Sequence, residues 1–271
     1  MEPALQKRVQ RYGWDKAAVF YENYWHRNLS PAQDKLIEFA AIQPGEHIID
    51  IACGTGLVSF RAAALTGNKG QVLGTDISDK MVELSNKQAS ERKLTNIRFE
   101  RSEAETLKVP RESFDVALCA LGLMYVTEPG LALSEMYKAL KPGGRAVAAV
   151  WGRRQNCGWA EIFEIVDRRV NSEVCPMFFY LGNTSVLDLH FANSGYKDLR
   201  SVTINTILTH ATDEEACGAA FAGGPVALAY NKFSDAVKEE AHAEYLESIR
   251  KYKDDEGYKI PGEFVITMGY K

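Results

Sequence analysis

The stretch Ile48-Ile49-Asp50-Ile51-Ala52-Cys53-Gly54-Thr55-Gly56-Leu57-Val58 runs an apolar strand into a glycine turn and straight on into a helix. Gly54 and Gly56 carry no β-carbon, so the chain can turn sharply and a ligand can lie against bare backbone at the carboxyl end of a parallel strand. A dinucleotide turn of the form G-x-G-x-x-G would place its third glycine where this chain has Ser59, and it would bring a pyrophosphate close to Asp50. A carboxylate repels that pyrophosphate and favours a ligand carrying an ammonium and a sulfonium. The turn reads as a seat for a cationic nucleoside.

The rest of the first 151 residues repeats the same grammar. Ser30-Pro31 predicts a helix start, with Leu36, Ile37 and Ala40 on one face of residues 31–42, and Pro44-Gly45 ends it. Strands are predicted at 47–51, 71–76, 96–100, 114–119 and 145–151, with helices at 57–66, 79–93 and 129–140 between them. The first strand is almost continuously apolar, as expected of one buried on both faces. Such alternation implies a parallel sheet covered by helices on both sides, because parallel strands need crossover connections. Beyond Trp151 the pattern loosens. Helices are expected at 157–171, 185–194, 212–220, 225–230 and 234–252, an apolar lid at 172–183, and two further strands at 201–208 and 263–270.

Asp76 closes the second strand 20 residues after Gly56, the spacing at which a carboxylate accepts hydrogen bonds from both ribose hydroxyls. Ile77 beside it is placed to pack on a base, and Met81 faces inward on the helix that follows. After the third strand, Ser102-Glu103-Ala104 offers an acid and a backbone amide to the same ligand.

Taken in order, D-x-A-C-G-T-G, Gly74-Thr75-Asp76-Ile77-Ser78, Ser113-Phe114-Asp115-Val116 and Leu140-Lys141-Pro142-Gly143-Gly144 resemble the class I S-adenosylmethionine-dependent methyltransferases, in the ubiquinone/menaquinone-biosynthesis-like branch. The resemblance covers about residues 30–152. It implies S-adenosylmethionine as cofactor and a Rossmann-like, doubly wound, mostly parallel seven-stranded α/β sheet whose last strand is antiparallel, with a helical substrate cap. The expected division is an N-terminal helical lid (1–43), a cofactor-binding core (44–152) and an acceptor cap with the C-terminal strands (153–271), in a single domain. Ala52 stands where the first glycine of the family motif falls, and Ser102 and Glu103 replace the glycine and acid of a G-D-A pattern. The cofactor set implied is Tyr21, Asp50, Ala52, Cys53, Gly54, Gly56, Asp76, Ile77, Met81, Glu103, Ala104 and Cys119. Tyr21 belongs to the aromatic cluster Tyr12, Trp14, Phe20, Tyr21, Tyr24 and Trp25, which related enzymes fold over the cofactor.

Methyl transfer is an in-line displacement, so alignment and desolvation are the main demands. Tyr125 and Glu128 follow the fourth strand and are the candidate catalytic residues; His26, His190 and His210 are weaker candidates. Trp151, Trp159, Met177, Phe178, Phe179, Tyr180 and Phe221, with Gly223-Gly224-Pro225, should form an apolar wall for a small or medium organic acceptor such as a quinol, phenol, amine or lipid-like molecule.

Other classes fit poorly. A net charge of −4 argues against a nucleic-acid binder. No apolar run is long enough for a membrane span and the N-terminus lacks a secretory pattern, so a cytoplasmic protein without stable membrane insertion is expected. The five cysteines, Cys53, Cys119, Cys157, Cys175 and Cys217, form no C-x-x-C pair and predict no metal site. A non-catalytic S-adenosylmethionine-binding regulator is the alternative; an NAD-dependent oxidoreductase is disfavoured by Asp50 and Ser59.

Overall fold

The computed structural model describes residues 3–170 and 177–271. The strands are β1 (His47–Ile51), β2 (Gln71–Asp76), β3 (Ile97–Arg101), β4 (Phe114–Ala120), β5 (Leu140–Trp151), β6 (Lys197–His210), β7 (Lys253–Asp254) and β8 (Gly257–Tyr270). They form one sheet in the order β3-β2-β1-β4-β5-β8-β6, with two-residue β7 pairing on β8. β1 to β5 run parallel, whereas β8 runs antiparallel to both β5 and β6. The seven-stranded core is the one expected. The strand order reverses at β1, between β2 and β4, which opens a crevice at the carboxyl ends of these strands.

Helices α2 (Leu57–Thr66), α3 (Asp79–Glu91) and α4 (Pro129–Ala139) make the crossovers. Residues 141–144 bulge out of β5, whose pairing with β4 jumps from Leu140 opposite Phe114 to Arg145 opposite Val116. The Pro142-Gly143-Gly144 signal therefore marks a bulge inside a strand that already begins at Leu140. Later come α5 (Ile162–Asp167), α6 (Val186–Asn193), α7 (Asp213–Cys217), α8 (Ala227–Tyr230) and α9 (Asp235–Ile249), with a π-helical turn at Gly218–Ala222. Of the helix expected at 157–171, the described residues 157–170 hold α5 alone, and residue 171 lies outside the described residues. Of the lid expected at 172–183, residues 172–176 lie outside the described residues, as does Cys175. The other four cysteines are buried and free. Among the described residues no helix is long and apolar enough to cross a membrane.

The largest departure from expectation is α1, one helix from Pro3 to Ala40 that passes through Pro31. Proline has no N–H for the carbonyl of Arg27, and Ser30 Oγ donates to that carbonyl at 3.0 Å instead. What reads as a helix start is thus a repaired helix interior. At about 1.5 Å per residue α1 is roughly 57 Å long. Its Asn28 side chain pairs with the backbone of Thr209 in β6, and Arg145 of β5 donates to the carbonyls of Ala40 and Ala41. The helix is fastened at its middle and at its end, and its first half lies across the crevice.

Candidate functional site

Two glycines shape the turn after β1. Gly54 has φ 56° and Gly56 φ 88°, both in the region that favours glycine, and a β-carbon on Gly56 would come within 2.9 Å of Phe60 and Phe99. Gly54 N donates to Asp76 Oδ2 at 2.9 Å, while Ser78 N donates to Asp76 Oδ1 at 2.9 Å. One carboxylate thereby locks the end of β2 to the turn after β1. It keeps lone pairs for a ligand, since a carboxylate offers about four acceptor sites.

Three chambers meet around Tyr21, and two of them reach this turn. The largest, about 740 Å³, is bounded by Ala52, Gly54, Asp76, Ile77 and Met81 on one side and by Lys7, Gln10 and Trp14 of α1 on another. Glu103, Ala104 and Tyr125 complete its wall. A side chamber of about 300 Å³ contains Asp50, Cys53 and Gln33. An aromatic chamber of about 330 Å³ is built from Trp14, Trp25, Tyr125, Trp151, Trp159 and Phe178. Tyr21 lines all three.

α1 supplies this wall by periodicity. Lys7, Gln10, Trp14, Tyr21 and Trp25 recur at three-, four- and seven-residue spacing on its inner face, whereas Tyr12 and Phe20 are exposed. Tyr24 turns instead against Gly218 in the π-helical turn. Lys7 Nζ lies 3.1 Å from Glu103 and 3.0 Å from Glu105, and Arg11 pairs with Asp79. Asp15 accepts from Ser78 Oγ at 2.6 Å and from Lys80 N at 3.1 Å. Lys7, Gln10, Gln33 and Glu105 were missed by sequence reasoning. The i, i+3, i+7 pattern could have found the first two, but only on a helix known to begin before residue 31.

The candidate residues divide by position. Tyr21, Ala52, Gly54, Asp76, Ile77 and Met81 reach the main chamber, as do Glu103, Ala104 and Tyr125. Asp50 and Cys53 reach the side chamber. Gly56 and Cys119 lie behind the surface, Cys119 Sγ only 2.9 Å from where a β-carbon on Gly122 would stand. Glu128 is exposed, and its backbone N–H donates to Glu105 at 3.0 Å. His26 and His210 flank a separate polar groove beside β6, and burial lowers the His210 pKa to about 4. His190 packs on Tyr180. Of the acceptor wall, Trp151, Trp159, Phe178, Gly224 and Pro225 line the aromatic chamber. Met177 and Tyr180 are exposed, Phe179 packs behind Trp159, and Phe221 is buried against Tyr230 and Tyr245.

Electrostatically the nucleoside side is poised for a cation. Burial raises Asp50 to about 7, opposed by its hydrogen bond from Ser59, with the Asp76 charge adding to the rise. Asp50 Oδ1 is buried without a partner. Burial likewise raises Asp76 to about 6, against the N–H bonds from Ser78 and Gly54. Desolvation, then Asp76, holds the Tyr21 hydroxyl in its neutral form. An orphaned carboxylate oxygen beside one chamber and a second carboxylate beside the next fit a nucleoside with a cationic tail. The cation among the main chamber's lining residues, Lys7, is already shared by two glutamates, which leaves little for a phosphate.

Comparison with known proteins bears on the family and the fold. Residues 42–169 match the family model of a methyltransferase domain. The chain is 36% identical over 121 residues to the ubiquinone/menaquinone biosynthesis C-methyltransferase UbiE of Teredinibacter turnerae, covering 44% of this chain and 49% of that protein. Its counterpart from Azotobacter vinelandii is 34% identical over 129 residues, covering 47% and 51%. The chain thus spans about half the length of the curated relatives it matches. Among solved structures, a putative methyltransferase from Bacillus halodurans superposes with a TM-score of 0.63 at 18% identity, over 89% of this chain and 99% of that one. A Haemonchus contortus phosphoethanolamine N-methyltransferase, solved with S-adenosyl-L-methionine, gives 0.62 at 18% identity over 95% and 57%. At such identities the structural likeness concerns the fold alone, while the sequence match carries the family: residues 42–169 are a methyltransferase domain of the class I S-adenosylmethionine-dependent family, on its ubiquinone/menaquinone-biosynthesis-like branch.

Proposed function

We propose that this chain transfers a methyl group from S-adenosylmethionine to a small, largely apolar organic acceptor. The observation that carries the reading is the meeting of three chambers at Tyr21: one suited to a nucleoside, one holding the orphaned Asp50, and one walled by aromatic rings. In this reading Asp76 holds the ribose hydroxyls, Ile77 and Met81 sandwich the base, Ala104 meets its edge, and Asp50 with Gln33 receives the ammonium. Glu103 serves the site through Lys7, to which its carboxylate is paired. The core of residues 44–152 is the seat, residues 1–43 cover it, and residues 153–271 complete the acceptor wall.

Bound S-adenosylmethionine supplies an electrophilic methyl carbon on a positively charged sulfur. Tyr21 and Tyr125 stand at the junction, where aromatic faces stabilise positive charge and exclude water. The aromatic chamber would align the acceptor's nucleophilic atom with that methyl carbon and keep water away from both. Among the described residues lining that chamber, the titratable groups are the tyrosine hydroxyls. The acceptor therefore brings its own nucleophilicity, as an electron-rich carbon or a readily ionised oxygen does. Carbon methylation, the activity named for the relatives, is the finer form of this proposal; on a quinol-like ring the proton that the methyl replaces would pass to water. Glu128, exposed outside the chambers, has no part in it.

Calorimetry tests the cofactor half. S-adenosylhomocysteine should bind with micromolar affinity and NAD should not; a preference for NAD would overturn the reading.

A further inference from the structure

Trp159 is buried, with 3% of its surface exposed, and forms one wall of the aromatic chamber. The residue before it is pinned, since Gly158 N donates to the carbonyl of Pro261 at 2.8 Å. Its ring is fixed among Trp151, Phe178 and Phe179, with centroids 4.8, 5.6 and 5.7 Å away. Yet its Nε1 is buried and has no hydrogen-bond partner. An indole nitrogen only donates, and a buried donor left unpaired costs free energy that an apolar ring of similar shape would avoid. A phenylalanine would satisfy packing among these rings. Trp159 lines a cavity whose other lining groups are aromatic, aliphatic or tyrosyl, with no charged side chain among them. A charged ligand group would be buried there without a counter-charge, so the group that answers the N–H is neutral.

We infer that the acceptor carries a neutral oxygen, as a carbonyl, methoxy or hydroxyl group, which accepts a hydrogen bond from Trp159 Nε1 and so fixes which atom of the acceptor faces the methyl donor. The inference rests on the methyl-transfer reading, and it makes Trp159 a specificity-determining residue.

Two probes of matched shape, differing in a single oxygen, test it: 1-methoxynaphthalene and 1-ethylnaphthalene, titrated into protein saturated with S-adenosylhomocysteine. The native chain should bind the methoxy compound about tenfold more tightly, the ratio expected for one good hydrogen bond. Trp159→Phe keeps an aromatic ring and loses the donor, and should bring the two affinities within about twofold. A ratio that survives the substitution, a native chain that does not distinguish the probes, or one that binds neither would each overturn the inference. Should Trp159→Phe fail to fold, the ¹⁵N-indole spectrum of the native chain decides. One tryptophan N–H should move downfield with the methoxy probe and stay in place with the ethyl probe; equal shifts would contradict it. Loss of S-adenosylhomocysteine binding in these samples would count against the methyl-transfer reading itself, whereas the ratio of the two probe affinities bears on Trp159 alone.

Discussion

The two large chambers that meet at Tyr21 are built on opposite principles. The chamber proposed for the nucleoside is shaped largely by backbone: Gly54 of the turn, Asp76, Ile77 and Ala104 sit at or just after the ends of adjacent parallel strands, within residues 50–104. The aromatic chamber is made by side chains gathered from Trp14 to Pro225, with no strand register to order them. Backbone geometry is shared by chains that fold this way, so in the proposed reading the first chamber takes the donor. Side-chain packing is particular to each chain, and in that reading the second chamber selects the acceptor.

Four experiments test that division, the largest effect first. Asp76→Ala removes two backbone hydrogen bonds and both proposed ribose contacts, and should weaken S-adenosylhomocysteine binding by roughly 100-fold or more, given the strength of bonds to charged groups. An unchanged calorimetric affinity would disprove the ribose assignment. Gly122→Ala places a β-carbon 2.5 Å from that of Ala52 and 2.9 Å from Cys119 Sγ. Ala52 itself has φ 55°, so the wall cannot easily retreat. Overpacking of this kind costs about 1–3 kcal/mol, and the melting temperature should fall by several degrees.

The third concerns pH. Asp50 at about 7 and Asp76 at about 6 lie above their unfolded values, so their protonated forms favour the folded state. Their contribution is fully present below the unfolded carboxylate pKa and is lost as pH rises through 6 to 7. A cationic ligand requires the ionised forms. Affinity for S-adenosylmethionine should therefore rise roughly tenfold from pH 5.5 to 8, and its thermal stabilisation of the protein should rise with it. A flat profile would remove the carboxylates from the cofactor's ammonium and ribose. The smallest effect is expected of Glu128→Gln, which should leave the turnover number within about twofold, as befits an exposed side chain outside both chambers. A loss beyond tenfold would return Glu128 to the reaction.

What could be read in the sequence follows the same division. The turn at Gly54, the carboxylate at Asp76 and the five parallel strands were legible because each depends on neighbours in the chain. Cys119 stands at the carboxyl end of β4 as expected, but a continuously apolar run does not say which face its side chain takes, and the thiol lies under Gly122. Glu105 escaped notice because its burial depends on Lys7, 98 residues earlier, and on Thr127. α1 was misread at Pro31, where a serine hydroxyl replaces the missing N–H. With the helix start placed too late, Lys7, Gln10 and Trp14 could not be seen to share a face.

Transfer of the methyl group itself tests the central claim most directly. The chain is incubated with S-adenosylmethionine labelled in its methyl group and a panel of quinols, phenols and amines, and label in the organic extract is compared with S-adenosylhomocysteine formed. The account predicts label in an apolar, oxygen-bearing product, equal in amount to the S-adenosylhomocysteine released, and its loss in Asp76→Ala. Tight cofactor binding with no label transferred to any member of the panel would contradict it and favour a non-catalytic binder.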